Sequence, residues 1–269
     1  MHGSDSYFCH LDERPVKWIN RFHEKRALQH ADGHISVSDY TAKLTNEIFK
    51  QNNKFEIIPN GIDMRLFQRN TKLSSESKEV ILYFGTLIRK KGLLELPHIF
   101  NLIQAKNPKA QLVLVGKDSS DISSGNSSTW KMMQDLFTPK TLEKVTYLGP
   151  IAYSEMQKQI ENATVCIFPT YAEALPVSWL EAMAMEKAIV ASNIGWGNEI
   201  VENGISGFLA HPSNHLEYAD KILLLLADSS LRENMERHAK ERILSHFEIN
   251  LVANQNLNFY KKIIEREKN

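Results

Sequence analysis

PTYAEALPVSWLEAMAM, residues 169–185, is the stretch on which the reading of this chain turns. Just upstream, Ala163-Thr164-Val165-Cys166-Ile167-Phe168 is a short apolar, β-branched run of the length of a buried strand. Just downstream, Pro176 stands where a helix can begin, because its missing N–H is not needed in a first turn. Val177, Leu180, Met183 and Ala184 then recur at helical spacing. The stretch is therefore strand, turn, helix, with Glu173 in the turn and Glu181 on the helix eight residues later. A helix N-terminus aimed out of the end of a parallel sheet offers free N–H groups and partial positive charge to a phosphate. Carboxylates beside it suit the hydroxyls of a sugar or ribose, which invites a nucleotide-sugar reading. The bland alternative stays open, since glutamates near a helix start also occur simply because they favour its dipole.

The bulk properties narrow the classes. A chain of 269 residues has room for one large or two smaller domains with a sizeable core. Lys+Arg and Asp+Glu both number 32, and this zero formal net charge argues against a dedicated nucleic-acid binder. The two cysteines, Cys9 and Cys166, lie far apart, which suits a reducing compartment and suggests neither a metal cluster nor a redox pair. No run of about 18 apolar residues is present to span a membrane, and residues 1–15 have neither the basic start nor the apolar stretch of a signal peptide. The expectation is a soluble, cytoplasmic protein.

Outward from the central stretch, the chain alternates strand and helix. Strands are expected at 80–84, 111–115, 145–148, 164–168, 188–191 and 207–210, with helices near 92–105, 129–137, 154–162, 176–185, 197–202 and 213–227. Repeated βα units predict an α/β fold with a doubly wound parallel sheet, whose ligands bind beyond the carboxyl ends of the strands. Segments 229–245 and 250–267 read as charged helices. Toward the front, 34–37 and 55–58 read as strands, Ser38 caps a helix to about Lys50, and Pro59-Asn60-Gly61 is a turn. A helix is expected over 12–31, with Trp18, Ile19, Phe22 and Leu28 as its apolar side and Arg14, Lys17, Arg21, Lys25 and Arg26 elsewhere. Such a basic helix is either a solvated face or a peripheral contact with an anionic membrane, at the inner face if so. The polar runs within 64–78 mark a domain boundary, which divides the chain into 1–75, 76–245 and a terminal 246–269.

Four loops leave the carboxyl ends of the expected strands with useful chemistry. Gly85-Thr86-Leu87-Ile88-Arg89-Lys90-Lys91-Gly92 combines a glycine-flanked turn with three cations, which fits phosphate or a plain solvated charge run. Gly116-Lys117-Asp118 opens a Ser-rich loop, and Gly149-Pro150-Ile151-Ala152 is small and apolar enough to accept the face of a base. The fourth is the Glu173 loop itself.

Taken in order and spacing, Gly85…Lys91-Gly92, Pro169…Glu173…Glu181-Ala-Met-Ala and Glu199-Ile-Val…Asn203-Gly…Ser206-Gly207-Phe208 resemble the donor domain of the group 1 (family 4) retaining glycosyltransferases. The resemblance covers nearly all of residues 34–265. It implies a GT-B fold, in which two Rossmann-like domains face each other across the active site and a final helix returns to the N-terminal one. It implies transfer of a sugar from a nucleotide-sugar to a saccharide or lipid-linked acceptor, as in polysaccharide biosynthesis, with retention by front-face attack and without metal or cofactor. By position, Lys91 would contact the donor diphosphate and Glu173 the transferred sugar. The amides of Ala174 and Leu175 would lie near the distal phosphate, Glu181 would hold the ribose hydroxyls, and Ile151 would lie against the base. His2, before Gly3, is similar to a histidine that faces the donor sugar across the cleft.

Two departures qualify this. Thr86 follows Gly85 where the family usually has arginine, which leaves Arg89 as a candidate for the phosphates. If His2 matches the family histidine, residues 1 to about 75 represent only the last portion of an acceptor domain. Absence of the rest would expose apolar surface and favour self-association. A non-catalytic fragment or subunit that binds nucleotide-sugar is therefore the alternative. An ordinary Rossmann nucleotide binder is disfavoured because no G-x-G-x-x-G follows an expected first strand. The pattern of Glu173 and Glu181 favours a transferase over an epimerase of the same overall fold.

Overall fold

Residues 80–84 and 165–168 are the centre from which the sheet is built, and every residue of both runs is buried. A computed structural model describes residues 1–67 and 79–267; the expected boundary at 75/76 and its polar runs lie outside these described residues. The first part contains α1 (Asp5–Leu11), α2 (Trp18–His30), β1 (His34–Ser36), α3 (Asp39–Phe49) and β2 (Phe55–Ile57). There β1 and β2 form a two-stranded parallel ladder, with His34 opposite Phe55.

The second part runs β3 (Val80–Phe84), α4 (Leu96–Lys106), β4 (Gln111–Val115), α5 (Thr129–Leu136), α6 (Pro139–Leu142), β5 (Val145–Tyr147) and α7 (Tyr153–Asn162). It continues through β6 (Val165–Phe168), α8 (Val177–Ala184), β7 (Ala188–Ser192), α9 (Gly197–Ile200), β8 (Phe208–Ala210), α10 (His215–Ala227) and α11 (Ser229–His246). Its six strands are all parallel, in the order β5-β4-β3-β6-β7-β8. Counted from β3 this is 3-2-1-4-5-6, the doubly wound order, and its direction reverses at β3 and β6. The expected parallel α/β fold is the one observed, and a crevice at that reversal is where such sheets bind ligands.

α8 shows how the sequence places the central stretch. Pro176 precedes its first helical residue, and Trp179, Leu180 and Met183 are buried where the helix packs on β7 and α11. Each such side chain contributes about 1.5–3 kcal/mol on burial. The final helix, α12 (Ile249–Glu267), lies against the first part. Its Phe259 and Ile263 lie against Gly33, and the backbone of Ile62 is bonded to Phe247 and Ile249.

Three expectations are corrected. The helix expected over 12–31 begins only at Trp18, because Glu13 takes a left-handed φ of 52° and Pro15 disfavours helix in the residue before it. α1, which was not expected, is capped by the Ser4 hydroxyl accepting from the Tyr7 N–H. The apolar side assigned to α2 is largely turned outward: Trp18, Ile19 and Phe22 are 76%, 39% and 48% exposed, whereas Leu28 is buried. Finally, the helix expected from 92 begins at Leu96. A 3-10 turn over Arg89–Lys91 and the left-handed Gly92 intervene, and Pro97 sits in the first turn.

Candidate donor site at the β3/β6 crevice

The loops that follow β3 and β6 are fastened to each other by their backbones. The Lys90 carbonyl accepts from the N–H groups of Tyr171 at 2.8 Å and Ala172 at 3.2 Å. Gly92 has φ +70°, and a Cβ there would fall 1.7 Å from the Pro169 carbonyl oxygen. Only glycine permits that approach without strain. The result brings Lys91 Nζ to 3.0 Å from Glu173 Oε1, with both side chains largely withdrawn from solvent. Gly85 adjoins the same ammonium, since a Cβ built on it would lie 3.5 Å from Lys91 Nζ. Thr86 is exposed, and its carbonyl accepts from the buried Tyr83 hydroxyl at 3.0 Å.

Beyond Glu173 the backbone divides its polar groups between two sides. The carbonyls of Glu173, Ala174 and Leu175 all accept hydrogen bonds from the first part of the molecule. The N–H groups of Ala174 and Leu175 find no acceptor among the described residues. Two amides without acceptors beside a lysine ammonium form an anion-receptive corner.

Glu181 lies one helical stretch further on and is 9% exposed. The Tyr153 hydroxyl donates to its Oε1 at 2.8 Å. Burial raises the Glu181 pKa, while the Tyr153 hydrogen bond opposes that shift. Tyr153 in turn meets the Phe67 ring edge-on at 6.1 Å. Ile151, partly buried in the loop after β5, packs against the same core.

Arg89 is committed elsewhere. Its guanidinium forms a two-pronged pair with Asp121, Nε to Oδ1 at 2.8 Å and Nη2 to Oδ2 at 2.7 Å. The pair holds the Asp121 carboxyl well below its ordinary range, with help from Ser124. Contact of Arg89 with a phosphate would therefore require that pair to open or be shared. His2 is exposed and makes no hydrogen bond to Lys91 or Glu173 among the described residues. Its pKa is lowered by burial and by the neighbouring terminal ammonium. The structure thus gathers Gly85, Lys91, Glu173, Ala174 and Leu175 at one corner, places Glu181 on the adjoining helix, and leaves Thr86 and His2 exposed.

Sequence reasoning did not single out Tyr7, Thr41, Asp121 or Tyr153, and it read Ser38 and Asn60 only as a cap and a turn. All six make contacts in or beside this site. Glu199 adds a further link: its carboxylate accepts from the N–H groups of Asp39 at 2.7 Å and Tyr40 at 2.9 Å, capping α3. Arg242 steadies Glu199 through its carbonyl at 2.8 Å. Among the described residues no group of three or more His, Cys, Asp or Glu could hold a metal ion, and no helix is long and apolar enough to cross a membrane.

Residues 64–242 match the family described as glycosyl transferases group 1, and residues 1–66 match that described as glycosyltransferase family 4. The chain is 28% identical over 264 residues to the N,N'-diacetylbacillosaminyl-diphospho-undecaprenol alpha-1,3-N-acetylgalactosaminyltransferase of Campylobacter jejuni, covering 93% of this chain and 65% of that one. It is 25% identical over 254 residues to the capsular polysaccharide biosynthesis glycosyltransferase CapM of Staphylococcus aureus, covering 90% of this chain and 64% of the relative. The chain thus spans just under two-thirds of the length of these relatives. Among solved structures, sucrose-phosphate synthase from Thermosynechococcus elongatus superposes with a TM-score of 0.79 at 26% identity, covering 93% of this chain and 63% of that one. Anabaena HepE, in complex with UDP and glucose, shares the fold with a TM-score of 0.75 at 21% identity, covering 96% and 73%.

Proposed function

The chain belongs to the group 1 glycosyl transferases, and from that premise we propose that it transfers a glycosyl group from a nucleotide-sugar to a saccharide or lipid-linked acceptor with retention. The observation that carries this reading is the Lys91–Glu173 pair beside the acceptor-free amides of Ala174 and Leu175. In the proposed reaction the bond from the anomeric carbon to the diphosphate breaks while a bond to the acceptor oxygen forms on the same face. The acceptor proton passes to the departing phosphate oxygen. Lys91 and the two amides stabilise the negative charge that grows on the diphosphate, the kind of fixed electrostatic contribution that usually dominates catalysis. Glu173 holds Lys91 in place and accepts from a hydroxyl of the transferred sugar. Glu181 receives the ribose hydroxyls in exchange for Tyr153, Ile151 borders the base, and Gly85 leaves room for the phosphates. His2 faces the sugar from the opposite part, and the scheme needs no metal.

The proposed division is a donor-binding part over 76–245, an acceptor-facing part over 1–75, and a return helix over 246–269. Peripheral contact with an anionic membrane belongs to the same proposal. Trp18, Ile19 and Phe22 are exposed on α2 beside exposed Lys25 and Arg26, whereas Glu24 turns inward to accept from the N–H groups of Asp5 and Ser6. Apolar and basic residues on one outward face suit a lipid interface. The direct test is calorimetric titration with UDP, GDP and ADP, followed by release of the diphosphate from the matching nucleotide-hexose. One nucleotide is expected to bind, and Glu181→Gln and Lys91→Ala are expected to weaken it. Failure of all three to bind the wild-type chain would refute the donor site.

A further inference from the structure

The three carbonyls at the donor-site corner are held by groups far away in sequence. Tyr7 Oη donates to Glu173 O at 2.8 Å, and Asn60 Nδ2 donates to Leu175 O at 3.0 Å. Ala174 O lies 2.9 Å from Ser38 Oγ and 3.2 Å from Thr41 Oγ1, and these two hydroxyls are 2.7 Å apart. Tyr7, Ser38 and Thr41 are buried, each residue being 0% exposed. Ser38 and Asn60 follow the carboxyl ends of β1 and β2, and Thr41 lies in the first turn of α3, so the small ladder and the helix after it aim these groups at the loop.

A trans peptide is planar, so the carbonyl of one residue and the N–H of the next point in opposite directions. Holding the Glu173 carbonyl therefore fixes the Ala174 N–H, and holding the Ala174 carbonyl fixes the Leu175 N–H. The third carbonyl precedes Pro176, which has no N–H, so Asn60 sets the entry to α8 and not a donor. The two N–H groups fixed in this way are the two that lack an acceptor among the described residues.

We propose that Tyr7 and the Ser38–Thr41 hydroxyl pair are positioning residues that aim the Ala174 and Leu175 amides at the distal phosphate of the donor. This inference rests on the donor-site reading above. It makes phosphate recognition by the second part depend on side chains of the first, without any of them touching the nucleotide. Seating the first part then orders the diphosphate site, and a bound diphosphate favours the seated arrangement by the same free energy.

The test compares nucleoside diphosphates with monophosphates, because only the former carry the distal phosphate. Wild type, Tyr7→Phe, Thr41→Val and Thr41→Ser would be titrated with UDP, GDP and ADP and with UMP, GMP and AMP. For the nucleotide that binds, Tyr7→Phe and Thr41→Val are expected to weaken the diphosphate about fivefold, the scale of one neutral hydrogen bond, and to leave the monophosphate within twofold, roughly the error of such a comparison. Thr41→Ser keeps the hydroxyl and is expected to match wild type. Equal losses for diphosphate and monophosphate in both Tyr7→Phe and Thr41→Val would reduce these residues to general structural roles and overturn the inference. Unchanged diphosphate affinity in both would overturn it as well. If wild type itself binds none of the six nucleotides, the donor-site reading fails first, and that outcome is separable because it appears before any substitution.

Discussion

Replacing Gly92 by alanine tests the idea that one close backbone approach holds the donor-site corner together. The new Cβ would sit 1.7 Å from the Pro169 carbonyl oxygen, and real Cβ contacts essentially never fall below 3.0 Å, so the two loops must separate by about 1.3 Å. Neither side can yield by a rotamer change, because the obstacle is backbone. The left-handed φ of +70° adds about 1 kcal/mol for a residue with a Cβ. Overpacking against a fixed neighbour adds about 1–3 kcal/mol. The total is about 2–4 kcal/mol, or about 5–15 °C in Tm for a chain of this size. Gly204→Ala is the matched control: its φ is +83° and nothing lies within 4 Å of the added Cβ, so it carries the backbone contribution alone. Circular-dichroism melts of both variants, with diphosphate titration of each, separate the effects. Gly92→Ala should melt well below Gly204→Ala and should lose at least tenfold in diphosphate affinity as Lys91 shifts from Glu173, since displacements of about 1 Å at such sites cost on the order of 100-fold in function. Equal melting points for the two variants would refute the reasoning.

Other expectations follow from single contacts. The depressed Asp121 pKa implies stability that is present above the ordinary value of 3.8 and lost as pH falls toward the folded-state value. Asp121→Asn should therefore reduce the steepness of acid destabilisation below about pH 4, and an unchanged acid limb on urea melts would contradict this. Tyr153→Phe removes the hydrogen bond that opposes the burial-driven rise of Glu181, so nucleotide binding that needs the carboxylate should be lost at a higher pH than in wild type; a midpoint moved to lower pH would reverse the assignment. Cys166 is fully buried and its thiol is pushed up to about 12. In native protein at pH 8 it should resist thiol reagents that label it at once after unfolding, and rapid native labelling would show the β6 core to be open. Trp18→Ala with Phe22→Ala should lower co-sedimentation with phosphatidylglycerol vesicles, and equal binding by wild type and the double variant would remove α2 from the lipid contact.

The sheet was legible because its strands are short, largely apolar runs separated by helix-period segments. Val80–Phe84 and Val165–Phe168 leave little room for another reading. Lys91, Glu173 and Glu181 were legible for a different reason: they flank glycine and proline signals that end strands and start helices. The front was harder. Pro15 carried the information that a helix could not run through it, and Ser4 carried a cap, but periodicity over 12–31 overrode both. On α2 the sequence could not distinguish an apolar side that packs from one that projects, because it is the polar ends of Asn20, Arg21 and Glu24 that make the hydrogen bonds to the rest of the first part, at Asp5, Ile48, and the backbone of Asp5 and Ser6. The commitment of Arg89 to Asp121 and of Tyr7 to Glu173 spans 32 and 166 residues respectively. Local spacing holds no record of such pairs.

The cap that Glu199 provides for α3 has a consequence for how the chain acquires its shape during synthesis. The amides of Asp39 and Tyr40 leave the ribosome 160 and 159 residues ahead of the carboxylate that satisfies them. At about 5–20 residues per second this is a wait of about 10–30 s. Throughout that interval α3 has only the Ser38 hydroxyl at its start, and the nascent front remains incompletely fastened until the tail of the sheet emerges. A pause or chaperone acting before residue 199 would therefore meet a helix with an open end, whereas one acting after it would meet a closed joint.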